Sequence, residues 1–336
     1  MATLHNEYNK FNKTIKLKQA DKDGLIRSRN SIRDKIKKYF REEKPDELQP
    51  TFNAQGSFEM NTTVNPIPEY DKDKNKLLKY DLDYGVYFKE KESEDNKRSI
   101  QTWHNWVYDA VDDHTSIPSK DKDTCVRIMF TDGHHIDLPI YYQEGDEITL
   151  AHKSKGWLES NPVEFSDWFN EIVKEKQQLR RIVRYLKAWR NFREITNTNL
   201  KFPSGFILTI LAVNNYIEDD NDDTAFRKTV IKIKEKLDQQ FKCNRPTTPT
   251  NEDLFEEYSY TRKTDFLNVL ESLINACKDA DEEKNFKKAS EFLQKHFGDR
   301  FPSGEDKDED SKSKELSTAL GASLIKPKPH AKGWNY

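Results

Sequence analysis

The sequence predicts an α+β protein: a mixed sheet with helices in the first half of the chain and a helical domain in the second. Three observations predict it. Short segments rich in β-branched and aromatic residues, bounded by Gly, Pro and Asp, occur between residues 51 and 143. Two of them are joined by TDGHH, whose Asp-Gly pair is the strongest short hairpin signal. Beyond about residue 160 the strand signals fade and apolar residues recur at helical spacing. The expected division is a core over 1–160 that includes N-terminal helices, a helical domain over 161–300 and a flexible tail over 301–336.

The elements follow in order. Residues 4–42 read as two helices. In GLIRSRNSIRDKIKKYF, Leu25, Ile32, Ile36, Tyr39 and Phe40 approximate one stripe, and Pro45 and Pro50 break the pattern. TFNAQGSF is a short strand running into a Gly-Ser turn, and NTTVNPIPEYDKDKNKLL is a Pro- and Asp-rich loop. Residues 79–89 form a strand, SIQTWHNWVYDAVDDH a helix, and TCVRIMFTD and HHIDLPIYYQ a pair of strands. Helices are expected over 164–194, 204–218, 222–241, 263–279 and 282–297, with no internal repeat. From Ser303 the composition of SGEDKDEDSKSKE is that of a solvated segment, and the chain ends with Trp334 and Tyr336 in LIKPKPHAKGWNY.

Composition narrows the class. Hydrophobic and charged residues each make up 34%, but aromatics reach 12% and cluster in periodic segments, so a packed core is expected. Net charge is −3, from 56 basic and 59 acidic residues, so no global basic excess advertises nucleic acid. Cys125, Cys243 and Cys277 are far apart, with no CxxC and no zinc-finger spacing. MATLHNEYNK lacks the pattern of a signal peptide, and FILTILAV is too short to span a bilayer. A cytoplasmic protein with no membrane partner is expected.

KYDLDYGVYF carries a chemical problem. Asp81 and Asp83 lie in a segment that otherwise favours a strand, on the same face, about 7 Å apart. Two carboxylates there repel one another unless something neutralises them. HHIDLPIYY contains a third acid, Asp137, between Ile136 and Leu138. If its strand is adjacent, about 4.8 Å away, three carboxylates converge. Mg²⁺ suits such a cluster, held by carboxylates and by substrate phosphates, and two ions serve an in-line phosphoryl displacement. The plainer alternative is that these aspartates cap strands or pair with surface lysines. Upstream, the Gly56-Ser57 turn of QGSFEMNTT fits a phosphate cradle: glycine admits close backbone approach and a helix N-terminus supplies free N–H groups. Serine also caps helices everywhere.

Together, Gly56-Ser57, Asp81-x-Asp83 and Asp137 form the signature of the polymerase-β-like nucleotidyltransferases. QGSFEMNTTVNP, YDLDYGVYF and HHIDLPIYY further resemble the corresponding segments of the bacterial cGAS/DncV-like nucleotidyltransferases, or CD-NTases, over roughly residues 50–210. Two more segments fit. In RRIVRYLKAWRNFR, Ile182, Tyr185, Leu186, Trp189 and Phe192 form a core stripe, while Arg184 and Lys187 share another face. The resemblance implies that Lys187 contacts the triphosphate, as does Ser204 in FPSGFILTIL. The bland alternatives are a solvated lysine and an ordinary N-cap. Gln55, as part of QGS, is implied in nucleotide binding. His104, His134 and His135 lie near the expected cleft as isolated histidines, and KDADEEKNFKK reads as a solvated helix face.

The resemblance implies that Gly56, Ser57, Lys187 and Ser204 hold a donor NTP and that Asp81, Asp83 and Asp137 bind two Mg²⁺ ions, with Mn²⁺ as a substitute. A ribose hydroxyl then attacks the α-phosphorus, pyrophosphate leaves, and a second round closes a cyclic di- or trinucleotide. It also implies CBASS anti-phage signalling through a downstream effector, with a regulatory protein partner or tail modification as a further option. Without a zinc ribbon, activation by DNA is disfavoured. Two alternatives stay open: a linear oligonucleotide synthase or a transferase that modifies RNA or protein, and an inactive nucleotide-binding module.

Overall fold

A computed structural model describes residues 3–70, 76–77, 80–91 and 96–309. The chain opens with two helices, α1 (His5–Ile15) and α2 (Gln19–Glu43). Strand β1 (Thr51–Gln55) runs directly into a single-turn helix, α3 (Gly56–Glu59). A two-stranded antiparallel ribbon, β2 (Glu69–Tyr70) and β3 (Lys76–Leu77), lies within the expected Pro- and Asp-rich loop. Then come β4 (Asp81–Lys89), α4 (Ile100–Val111), β5 (Lys120–Asp121), β6 (Cys125–Met129), β7 (His135–Glu144), β8 (Glu147–His152) and β9 (Gly156–Glu159).

Among the described residues seven strands make one mixed sheet in the order β1-β4-β7-β6-β5, with β8 added to β7 and β9 to β8. Only the β4–β7 pair is parallel; the others are antiparallel. Side-chain alternation gives the sheet two different faces. Leu82, Tyr84, Val86 and Phe88 of β4, Ile136, Leu138, Ile140 and Tyr142 of β7, and Val126 and Ile128 of β6 share one core with α2 and α4. Leu25, Ile32, Ile36 and Phe40 supply the α2 stripe, and Phe88 stacks on Trp103 of α4 at 3.9 Å. The intervening residues, Asp81, Asp83, Tyr87, Arg127, Asp137 and Tyr141, are left to the opposite face.

The β8–β9 hairpin was not expected. Its entry is the two-residue turn Gly145-Asp146 between paired Glu144 and Glu147, with Gly145 at φ +57°. In EITLAH the buried residues are Thr149 and Ala151, and Ile148 and Leu150 are only half-buried. The apolar alternation therefore runs out of phase with burial.

Six helices complete the described chain: α5 (Pro162–Val173), α6 (Gln177–Thr196), α7 (Gly205–Asn215), α8 (Asp222–Gln239), α9 (Tyr260–Glu282) and α10 (Phe286–Phe297). The single helix expected over 164–194 is two. Val173 and Leu179 both reach the same core, whereas a continuous helix would set them about 120° apart. The break at Lys176 (φ −125°, ψ 58°) lets both turn inward. Gln177 Nε2 donates to the freed Val173 carbonyl at 2.7 Å.

The core of α5–α10 also receives α1. Leu4, Tyr8, Phe11 and Ile15 are buried there, with Phe11 against Tyr185, Phe297 and Phe301. Buried Asp222 fixes this junction. It accepts two 2.7 Å bonds from Arg181, one at 2.7 Å from Tyr185 and one at 2.9 Å from Gln178. Its own N–H donates to His5 Nδ1 at 2.9 Å. Phe301, at the start of the expected tail, is fully buried, and Gly304 N–H donates to Ser290 Oγ at 2.9 Å. Phe301 extends the Tyr8–Phe11–Phe297 aromatic cluster, which holds this stretch on the helices. Trp334 and Tyr336 lie outside the described residues. No helix among the described residues is long and apolar enough to cross a membrane.

Candidate active site

Parallel pairing of β4 with β7 sets Asp83 opposite Asp137 and Asp81 opposite His135. All three acids line a cleft of about 700 Å³ between the sheet and helices α5, α6 and α7. Gly56 and Ser57 line the same cleft, because β1 pairs with β4 and delivers the Gly-Ser turn beside the aspartates.

Gly56 is required twice over. Its φ is +68°, and a Cβ there would lie 2.5 Å from Asp83 Oδ2. The Ser57 hydroxyl sits 3.0 Å from Thr63 Oγ1. The Gln55 side chain is buried and engaged: Nε2 donates to Tyr141 Oη at 3.0 Å and Oε1 accepts from Tyr87 Oη at 3.1 Å. Those two rings stack at 4.7 Å, so Gln55 pins a tyrosine floor under the turn.

Charge is concentrated here. Burial, then the carboxylates of Asp81 and Asp137, push the Asp83 carboxyl up to about 8, against the opposing pull of Arg127 and Lys187. Burial brings Lys187 down to about 8, although Asp81 and Asp83 favour its charged form. The Lys187 stem packs on Gly205, where a Cβ would lie 3.2 Å from Cε, and Nζ donates to Thr62 Oγ1 at 2.8 Å. Two neighbours on α6 reach the same loop: Arg180 donates to the Met60 carbonyl at 2.7 Å and Arg184 to the Asn61 carbonyl at 2.8 Å. Ser204 is exposed and caps α7, accepting from Ile207 N at 3.3 Å; Gly205 and Phe206, not Ser204, line the cleft.

The third acid differs from expectation. Arg127, opposite Asp137 across β6–β7, grips it with two 2.6 Å hydrogen bonds, one to each carboxylate oxygen. Among the described residues no three His, Cys, Asp or Glu side chains are placed to hold one metal ion. The strands do bring the three aspartates to one cleft, but the guanidinium occupies Asp137. Asp81 and Asp83 still fit a divalent cation, since the burial and then the mutual repulsion that raise the Asp83 pKa are what such an ion offsets.

Sequence reasoning missed Arg127, although an Arg between Val126 and Ile128 is as anomalous as Asp137 between Ile136 and Leu138. A two-residue Asp132-Gly133 turn would set Ile128 opposite Asp137; the observed register, one residue off that count, sets Arg127 there. Sequence reasoning found Lys187 but missed the α6 residues that line the cleft beside it, Arg190, Asn191 and Glu194, at i+3, i+4 and i+7 from that lysine. Arg245, which sits over the Phe206 ring at 5.1 Å, carried no sequence signal. Of the histidines, His104 is buried between Asp121 and the Ala151 carbonyl, and His134 stacks on Phe130 at 4.0 Å; only His135 lines the cleft.

A mixed sheet that presents paired acids beside a Gly-Ser turn, closed over by helices, is the architecture of a nucleotidyltransferase. Residues 50–141 match the nucleotidyltransferase domain of the DncV-like cyclic GMP-AMP synthases, and residues 176–307 match the C-terminal domain of cyclic GMP-AMP synthase. The matches take in about two thirds of the chain, and the chain belongs to this family. A cyclic GMP-AMP synthase of Escherichia albertii is 28% identical over 208 residues, 60% of this chain and 45% of that protein. The chain thus spans less than half the length of that relative. A cyclic GMP-AMP synthase of Vibrio cholerae serotype O1 is 22% identical over 323 residues, 77% of this chain and 69% of its own length. Among solved structures, Vibrio cholerae DncV in its GTP-bound form gives a TM-score of 0.76 at 20% identity, covering 90% of this chain and 96% of that one. DncV with nonhydrolyzable GTP gives 0.75 at 19%, covering 90% and 97%. At these identities the likeness shows the fold.

Proposed function

We propose that the protein is a metal-dependent nucleotidyltransferase that joins NTPs into a cyclic di- or trinucleotide, releasing pyrophosphate. One observation carries this reading: Asp81 and Asp83 lie beside Gly56-Ser57, Asp83 faces Asp137 across a parallel strand pair, and all line a cleft large enough for nucleotides. The names of the relatives, and a DncV structure with ATP and GTP, make those two nucleotides the first substrates to test.

In the proposed mechanism Gly56 lets the backbone approach the triphosphate and Ser57 donates a hydroxyl hydrogen bond to it. Lys187 leaves Thr62 to meet phosphate charge. Divalent metal, Mg²⁺ or Mn²⁺, is held by Asp81 and Asp83 and supplies charge neutralisation for phosphoryl transfer. Asp137 stands on the acceptor side, where a ribose hydroxyl loses its proton as it attacks the α-phosphorus. Positioning and electrostatics carry most of the rate in such transfers. Ser204 acts through the α7 terminus, keeping Gly205 against Lys187. The division of labour follows the chain, with residues up to about 160 supplying the acids and 161–300 supplying Lys187 and the opposite wall.

The biological reading is CBASS signalling in the cytoplasm, in which the cyclic product activates an effector. The decisive experiment incubates purified protein with the four labelled NTPs and Mg²⁺ or Mn²⁺, then applies phosphatase and mass spectrometry. Phosphatase-resistant rings, lost in Asp81→Ala/Asp83→Ala, are expected. Linear products or labelled macromolecules would move the protein to another transferase class. Turnover unchanged in the double variant would remove the site.

A further inference from the structure

Asp137 lines the cleft paired to Arg127, a residue with no part in the mechanism above. The pair is bidentate, with both distances 2.6 Å, and Asp137 is only 8% exposed. Such a fork is the strong form of a carboxylate hydrogen bond. It is also built in: antiparallel register sets Arg127 directly opposite Asp137, and neighbours Val126 and Ile128 lock that strand into the core. A carboxylate with both oxygens on a guanidinium keeps lone pairs but has its charge balanced, so it is a weaker ligand for a cation shared with Asp81 and Asp83.

We propose that Arg127 is a positioning residue that competes with divalent metal for Asp137. It keeps the third acid out of the cation site until the metal's charge outbids it. Resting on the reading that Asp81 and Asp83 hold a cation, this gives the free protein a two-carboxylate site and reserves the three-carboxylate site for the loaded one. The physical logic is charge balance. Three carboxylates clustered without metal repel one another, and a guanidinium that neutralises one of them lowers that repulsion. The same guanidinium weakens capture of bare metal.

The test is binding of Mn²⁺ alone to the nucleotide-free full chain, read by the electron paramagnetic resonance signal of free Mn²⁺. Arg127→Met should tighten Mn²⁺ binding on the order of tenfold, the effect of removing one unit charge a few Å from the ion in a part-solvated site. Arg127→Met/Asp137→Asn exchanges a neutral pair for another neutral pair and should return to within about twofold of wild type. The idea is overturned if Arg127→Met binds no more tightly than wild type, or if the double variant keeps the gain. Thermal melts verify folding; should Arg127→Met fail to fold, Arg127→Gln replaces it in both arms, since glutamine keeps a hydrogen-bond donor for Asp137 without the charge. Failure of the underlying reading looks different: Asp81→Asn/Asp83→Asn would then bind Mn²⁺ as wild type does.

Discussion

Asp83 occupies the space that a side chain at position 56 would need: a Cβ on Gly56 would lie 2.5 Å from Asp83 Oδ2. The Gly-Ser turn and the acid strand are therefore fitted to each other. Gly56→Ala should push Asp83 off its position and strain a backbone held at φ +68°. Displacements of that size in a reacting site cost about a hundredfold in rate. Steady-state NTP turnover should fall by about that factor, with the far-ultraviolet circular dichroism spectrum unchanged.

The raised Asp83 pKa sets a pH dependence. The folded-state value, about 8, lies above the ordinary 3.8, so the folded protein holds this proton more tightly than the unfolded chain. The associated stability is present at low pH and is lost as pH rises through about 8. In EDTA, Tm should decline between pH 5 and 8. Millimolar Mg²⁺ should raise Tm more at pH 8 than at pH 5, because metal and proton compete for one carboxylate. A pH-independent Mg²⁺ shift would contradict this assignment. Lys187, lowered to about 8, contributes in the opposite sense only above that pH.

Lys187→Met keeps the aliphatic stem that packs on Gly205 and removes the charge. The KM for NTP should rise on the order of tenfold to a hundredfold, the range of a lost charge-assisted phosphate contact. The melting temperature should hold or rise, since a buried ammonium costs desolvation. Isothermal titration with a nonhydrolysable NTP and a melt separate the two effects.

Asp222→Ala should be destabilising by about 3–5 kcal/mol, the cost of breaking a buried ion pair and leaving a charge uncompensated. It strands Arg181, Tyr185 and Gln178. Urea unfolding checks the magnitude. Burial opposes its charge, yet the hydrogen bonds from Arg181, Gln178 and Tyr185 hold the Asp222 pKa below the ordinary value. This stabilisation is present at neutral pH and is lost as pH falls through the depressed folded value.

The acids were legible because a strand has a period of two. Asp81, Asp83 and Asp137 break apolar runs, and alternation alone puts them on the face away from Leu82, Val86, Ile136 and Leu138. Gly56-Ser57 was legible because Gly and Ser punctuate a strand end. The β8–β9 hairpin was harder, since Thr149 and Ala151 fill its core positions and Gly145-Asp146 is a quieter turn than Asp132-Gly133. The break between α5 and α6 has no local cause: KEKQQ favours helix, and only the shared destination of Val173 and Leu179 forces it. Arg127 was visible as an anomaly, but its meaning depends on register with Asp137. Arg245 and Phe206 meet only in three dimensions.

Arg180, Arg184 and Lys187 fasten three successive residues, Met60, Asn61 and Thr62, rung by rung to one helix. The segment following the Gly-Ser turn thus belongs mechanically to the opposite wall. Gaping of the cleft would rupture the Arg180 and Arg184 bonds together even when Lys187 has turned away from Thr62, each worth roughly 1.5–3 kcal/mol when charge-assisted. Floor and wall therefore travel as a unit, and the cleft between them keeps a fixed gauge.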